Sequence, residues 1–387
     1  MDLHQLCYQL PYVKEFDARV TGCVQSKKGY EVTLDRTAFY PEGGGQLGDG
    51  GTIGDVKVSD TRSRNGQVVH YTDAPLEPGT EVHCRIDWQK RLDHMQGHSG
   101  EHIVSGLVHK HWGYDNVGFH MAADKVTVDF DGIITEEELA DLEREANEYV
   151  RSDVPVEISF PSAAELHEME YRSKKELSGE VRIVTFPGVD VCACCGTHVQ
   201  RSGEVGTIKF TAMSHYKSGV RIEMVCGRLA TEDYAMKNAQ HIQLCRLFSA
   251  KPHLLVEAVR QYMEAAEAGE HRVDQLAKRC LEFRAAQFPA GGRLIVDFEE
   301  DFTMPQLRQY CDGLVVSGKA QVAAVLSPSD KGGWNYVLRS DTVDLRAAIK
   351  DLNKRLGGRG GGDPTQVQGG FRAEKEEVES VLREFFK

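Results

Sequence analysis

Val56-Lys57-Val58-Ser59-Asp60-Thr61-Arg62-Ser63-Arg64-Asn65-Gly66-Gln67-Val68-Val69-His70 decides how the first part of the chain folds. Asn65-Gly66 sits between Val56/Val58 and Val68/His70, and this dipeptide between extended runs signals a tight β-hairpin. Working outward, Val82, Cys84, Ile86 and Trp88 alternate with polar residues, the period of a half-buried strand. Pro78-Gly79 supplies another turn. Short strands with these breaks from about residue 14 to 90 predict a small β-barrel.

The texture changes near Arg91. From about Gln96 to Trp112, Ile103, Val104, Leu107 and Val108 form a helical apolar stripe. Val126, Val128 and Phe130 alternate as a strand, Thr135 with Glu138 is a capping-box pattern opening a helix through Val150, and Ser162 with Glu165 repeats it after a strand-like Val154–Phe160. A polar-rich helix follows from about His253 to Phe288, with Leu255, Val259 and Tyr262 on one side. Strands at Leu294–Phe298, Gln321–Leu326 and Trp334–Leu338 and a helix from Leu345 then run into Gly357-Gly358-Arg359-Gly360-Gly361-Gly362. The expected class is α+β in four parts: a barrel domain over 1–90, a metal-containing α+β domain over 91–230, a helical linker over 231–290, and a Gly-rich α/β domain over 291–387.

No apolar run in the 387 residues approaches the roughly 18–20 that a membrane span needs. The N-terminal stretch lacks a basic start and an apolar core, so no export signal and a cytoplasmic protein are expected. The net charge of −13 argues against a basic coat but leaves room for RNA on a local positive stripe. Ten cysteines are too sparse for a disulfide scaffold, and three crowd into Val191-Cys192-Ala193-Cys194-Cys195-Gly196-Thr197-His198, which reads as metal-binding or reactive thiols.

His98 and His102 lie four apart on the predicted helix, so both imidazoles project from one face. Cys194 and His198 add a thiolate and an imidazole across a glycine-containing turn. Two histidines from a helix plus Cys and His from a turn form the N/S donor set that Zn²⁺ favours. Cys192, sharing a face with Cys194 if 191–194 is extended, and Cys195 remain alternatives to Cys194.

At these residues the chain resembles the alanyl-tRNA editing family, the free-standing AlaX-type proteins and the editing region of alanyl-tRNA synthetase. Thr37-Ala38-Phe39-Tyr40-Pro41-Glu42-Gly43-Gly44-Gly45-Gln46 with Gly48-Asp49 matches the family's barrel signature. His98/His102 falls on its H-x-x-x-H, Cys194–His198 on its C-x-x-x-H, and Gly219-Val220-Arg221-Ile222-Glu223 on a further family segment. The C-terminal Gly-rich stretch resembles the DHH-associated domain of long AlaX proteins. The chain departs from the family at Ser99, Gly100, Glu101 and Cys195.

The resemblance implies a Zn²⁺-dependent deacylase acting on alanine tRNA mischarged with serine or glycine, with metal on His98, His102, Cys194 and His198. It implies substrate contacts at Thr37, Gln46 and Arg221 and RNA contacts at Lys354, Arg355 and Arg359 beside the glycine run; Glu101, where the chain departs from the family, is a candidate catalytic group to which the resemblance assigns no role. It also implies a homodimer through the linker or the C-terminal domain. Two rivals stand beside it. His98-Ser99-Gly100-Glu101-His102 fits the H-x-x-E-H of inverted zincins, with Glu176 or Glu180 completing a peptidase site. A non-catalytic tRNA-binding protein with a structural zinc is the other.

Overall fold

A computed structural model of the chain describes residues 6–27, 29–173, 180–300 and 302–387. After a short helix α1 (Leu6–Gln9), six strands close a barrel: β1 (Glu15–Ser26), β2 (Gly29–Leu34), β3 (Gly51–Ile53), β4 (Val56–Arg64), β5 (Gln67–Thr72) and β6 (Glu81–Ile86), in the order β1-β2-β5-β4-β3-β6. Antiparallel pairing of β1 with β6, Glu15 opposite Arg85, closes the ring. Phe16, Ala18 and Val20 of β1 and Val82, Cys84 and Ile86 of β6 are the buried alternate residues that fill its interior. The β4–β5 turn is the two-residue loop read from the sequence: Asn65 and Gly66 both have positive φ, 50° and 80°, which matches the right-handed twist of the flanking strands.

The helix α2 (Trp88–Trp112) starts directly after β6, capped by the Asp87 side chain on the Lys90 N–H. It begins eight residues before the apolar stripe suggested. Its first turns bury Arg91 and His94, polar residues that no apolar period includes. Ile103, Val104, Leu107 and Val108 pack on the strands that follow, β7 (Asn116–Met121) and β8 (Val126–Phe130), and on α3 (Glu136–Arg151). Both expected capping boxes form, Thr135/Glu138 opening α3 and Ser162/Glu165 opening α4 (Ala163–Glu168). The strand between them is shorter than its sequence suggested, β9 (Glu157–Ser159). It joins β10 (Ile183–Phe186) and β11 (Asp190–Ala193) in a three-stranded sheet. A second sheet, β12-β13-β8-β7, is completed by β12 (Ile208–Tyr216) and β13 (Gly219–Cys226), after which α5 (Gly227–Leu247) begins.

The chain divides into two compact units, Met1–Gln243 and Leu244–Lys387. In the second, α6 (Leu255–Gln287) carries the stripe of Leu255, Val259 and Tyr262, of which Leu255 is buried and Tyr262 is 65% exposed; Leu281 is the helix's other buried residue. The sheet runs β14-β15-β16-β18-β17, with β14 (Gly292–Phe298) parallel to β15 (Ala320–Pro328) and separated from it by α7 (Met304–Val316). Beyond β16 (Trp334–Ser340) and α8 (Leu345–Arg355) lie β17 (Arg359–Gly362), β18 (Gln366–Phe371) and α9 (Lys375–Phe385). Val322, Ala324 and Leu326 face α8 and α9 while Ala323 and Val325 face α7, so β15 is buried on both sides. Part of the glycine run forms the edge strand: Arg359–Gly362 pairs antiparallel with β18.

Candidate metal centre

The centre forms where α2, the end of β11 and a loop of the barrel meet. His98 and His102 lie on the buried face of α2 with ring centroids 5.4 Å apart. The turn after β11 brings His198 to 4.6 Å from His98 and 4.8 Å from His102, again between centroids. Gly196 permits this approach, because a Cβ there would stand 2.1 Å from His98 Cε1. Cys194 Sγ lies 3.4 Å from His98 Nε2 and 3.3 Å from His198 Nε2. One ligand-capable atom from each of His98, His102, Cys194 and His198 lies within 4.8 Å of the others. Tetrahedral angles and ordinary zinc bond lengths would put S and N about 3.6 Å apart. The donor set fits a metal ion of this kind.

Every imidazole is oriented through its other nitrogen. His98 Nδ1 donates to Gln46 Oε1 at 2.9 Å, His102 Nδ1 to Asp190 Oδ2 at 2.7 Å, and His198 Nδ1 is paired with Ser99 Oγ at 3.3 Å. The Gln46 amide has no freedom to flip, since Oε1 also accepts the Thr197 N–H and Nε2 donates to Thr197 Oγ1. Arg172 grips Asp190 through Nε and Nη2 at 2.7 and 2.9 Å. Holding Nδ1 in this way fixes the tautomer and aims each Nε2 lone pair at the centre, the outer arrangement metal-bound histidines require.

The electrostatics agree at Cys194 and His198, whereas at His102 burial is outweighed by Cys194 and Asp190, which raise the ring to about 10, so an ion would have to displace its Nε2 proton. Burial alone would raise the Cys194 thiol, but His98, His198 and His102 outweigh it and hold the group well below its ordinary value. Burial takes His198 down to about 3 against the pull of Cys194, so that ring is neutral. Burial also opposes ionisation of Asp190, and the hydrogen bonds from His102 and Arg172 overcome it. Cys192 differs: burial pushes its thiol up, and its sulfur groups with His102 and Asp190, within 4.8 Å, and not with His98 and His198. Of the three neighbouring cysteines, Cys194 is the one whose sulfur groups with all three imidazoles.

The remaining residues singled out by sequence fall in several places. Gln46 reaches the centre, as a partner of His98. Thr37 is buried in the barrel; its hydroxyl donates to His70 Nε2 at 2.9 Å and accepts the Phe39 N–H, and none of the four converging residues is among these partners. Glu101 turns to Ser105 Oγ at 2.7 Å and to Asn116 Nδ2. Arg221 lies across from Asp129 in the β13–β8 pairing and is held by that carboxylate at 2.6 and 2.8 Å. In the second unit Lys354, Arg355 and Arg359 are exposed, with Arg355 paired to Glu384. Glu180 is exposed, and Glu176 lies outside the described residues. The departures inside the helix motif have local causes. Ser99 binds His198 and accepts the Val199 N–H, and a Cβ at Gly100 would stand 2.5 Å from Cys226 Sγ.

Asp190 and Arg172 escaped the sequence reading. The only available signal was an aspartate two positions before Cys192, in a strand whose pattern explains itself by packing.

Two family models match the chain: "tRNA synthetases class II (A)" over residues 6–90, and "Threonyl and Alanyl tRNA synthetase second additional domain" over 181–223, the segment that holds Cys194 and His198. Alanyl-tRNA editing protein AlaX-L of Pyrococcus horikoshii is 29% identical, with 99% of this chain and 98% of the relative aligned. Over nearly its whole length the chain is thus similar to an alanyl-tRNA editing protein. Alanyl-tRNA editing protein Aarsd1 of Rattus norvegicus is 26% identical across 98% of this chain and 97% of its own. Alanine--tRNA ligase of Methanopyrus kandleri is 31% identical over 92% of this chain, which spans 41% of that protein. No helix among the described residues is long and apolar enough to cross a membrane.

Proposed function

We propose that the chain is a trans-editing deacylase that hydrolyses the ester joining serine or glycine to alanine tRNA, with Zn²⁺ held by His98, His102, Cys194 and His198. The observation that carries the metal is the buried convergence of one thiolate and three imidazoles whose Nδ1 atoms are all engaged elsewhere. The relatives' names support the reaction.

A bound zinc ion would polarise the ester carbonyl, acidify water, or orient the substrate. The chain's own residues do the holding. Gln46 and Asp190 fix the faces of His98 and His102, and Arg172 keeps Asp190 ionised and in place. Four protein donors complete a tetrahedral shell, which favours the orienting role unless one donor loosens. The H-x-x-E-H peptidase reading asks Glu101 to activate water at the metal, whereas its carboxylate is bound to Ser105 and Asn116.

The same reading includes substrate contacts at Thr37, Gln46 and Arg221, a supporting part for Glu101, and tRNA contacts at Lys354, Arg355 and Arg359. It also includes the division at 90, 230 and 290, a second copy docked through the linker or the C-terminal domain, and a cytoplasmic location. The test is deacylation of serine-, glycine- and alanine-charged alanine tRNA by the metal-loaded protein, beside His102→Ala. Rapid loss of serine or glycine, spared alanine and an inactive variant are expected. Equal rates on all three would defeat the proposal.

A further inference from the structure

The turn that carries Cys194 and His198 is gripped from behind by a side chain outside the donor set. Arg182, the residue before β10, is 2% exposed. Its Nη1 donates to two carbonyls of the turn, Cys194 O at 2.9 Å and Gly196 O at 3.0 Å. Its own backbone carbonyl accepts the Cys194 N–H at 3.1 Å. One residue thus holds Cys194 on both sides of its Cα.

Packing alone does not account for a guanidinium in this place. Buried charges are ordinarily paired. Among the described residues no carboxylate forms an ion pair with Arg182, and its Nε and Nη2 have no hydrogen-bond partner. The groups of α1 that feel its charge supply no anion near pH 7: burial pushes the Cys7 thiol up to about 12 and the Tyr8 hydroxyl higher still. The two hydrogen bonds its side chain makes both go to the turn. That turn has little room to move, since the Gly196 N–H donates to Cys194 Sγ at 3.3 Å and a Cβ on Gly196 would stand 3.0 Å from Gln46 Oε1. Gln46 secures Thr197, and Ser99 accepts the Val199 N–H. Arg182 does the same for the Cys194 end.

We propose that Arg182 is a positioning residue that keeps Cys194 in the donor set and so keeps the four-donor arrangement closed. Resting on the metal centre proposed above, this role deepens it: a thiolate that cannot swing away leaves no vacant position for water, as an orienting ion requires. The grip depends on where the side chain ends. Since one nitrogen makes both bonds, a lysine ammonium has the donors to replace it, on a stem one bond shorter.

The test loads full-length wild type, Arg182→Met and Arg182→Lys with Co²⁺, whose visible bands report coordination number and whose near-ultraviolet charge-transfer band reports the bond to sulfur. In Arg182→Met the Co²⁺ affinity should fall roughly tenfold or more, the loss typical of an outer partner of a metal ligand. Its charge-transfer band should weaken, and its visible bands should lose the intensity of a four-coordinate ion. Urea unfolding of the metal-free protein should change less than the affinity, because the brace acts on one turn. Arg182→Lys should recover most of the affinity while its bands shift with the shorter stem. Wild-type affinity and spectrum in a folded Arg182→Met overturn the proposal. So does a loss of affinity no larger than the loss of metal-free stability, the mark of a packing residue. Where Arg182→Met does not fold, Arg182→Lys decides, and an unshifted spectrum there overturns the proposal. Wild-type protein that takes up no Co²⁺ defeats the metal centre itself and this role with it.

Discussion

Gln46→Leu tests the claim that a barrel residue holds a metal ligand. The side chain is fully buried, and its Oε1 serves two donors, His98 Nδ1–H and the Thr197 N–H. Leucine is of similar size but accepts nothing, so both donors become orphans, and Thr197 Oγ1 loses the Nε2 donor. At about 1–3 kcal/mol for each stranded donor, the total is about 2–6 kcal/mol, shared between fold stability and metal affinity. Loss of an outer-shell partner of a metal-bound histidine typically lowers affinity about 10- to 100-fold. Gln46→Glu keeps an acceptor for both donors and should stay near wild type. Affinity is read by competition with a chromogenic chelator, and stability by urea unfolding of the metal-free protein. If Gln46→Leu binds metal within about twofold of wild type, His98 is not held from the barrel and the reasoning is wrong.

Other outcomes follow from the same geometry. Cys194→Ala should lose the metal, whereas Cys192→Ala should retain it, as measured by metal content after dialysis; the reverse pattern would move the sulfur ligand. Asp49→Asn leaves the fully buried Arg91 guanidinium without its counter-charge and should cost about 3–5 kcal/mol in chemical denaturation, partly recovered by adding Arg91→Met. His70 is lowered by burial from its ordinary 6.5 to about 4, so between those values the unfolded chain binds the proton and the folded chain does not. Stability should therefore fall by roughly 3 kcal/mol as pH drops from 6.5 to 4, with full benefit above 6.5, and His70→Gln should flatten that slope. A wild-type curve with no such slope would contradict the burial of His70.

How much of this was legible in the sequence depended on the kind of signal. The β4–β5 hairpin was readable because Asn65-Gly66 is a local conformational requirement. The capping boxes at Thr135 and Ser162 were readable for the same reason. The start of α2 was not, since Arg91 and His94 are buried outside any apolar period. The strand at Arg359–Gly362 was hidden for another reason: glycines carry no side chains to alternate, and its pairing is entirely between backbones. At the metal centre the four converging residues lie in two short motifs, which spacing and resemblance bring out. Their supports do not. Gln46 meets His98 across 52 positions and Asp190 meets His102 across 88, and only the fold brings such pairs together.

The Gln46 contact also has a mechanical side. A side chain from the barrel steadies a ring on α2, so any ion gripped by that ring fastens two layers of the protein as a rivet does. Withdrawing the ion should loosen the seam before it unravels either layer. A stretch beginning at residue 91, severed from its barrel, would keep all four donor residues yet lack one hand that steadies them. Cohesion between the two layers and grip on an ion at this centre would then be a single property.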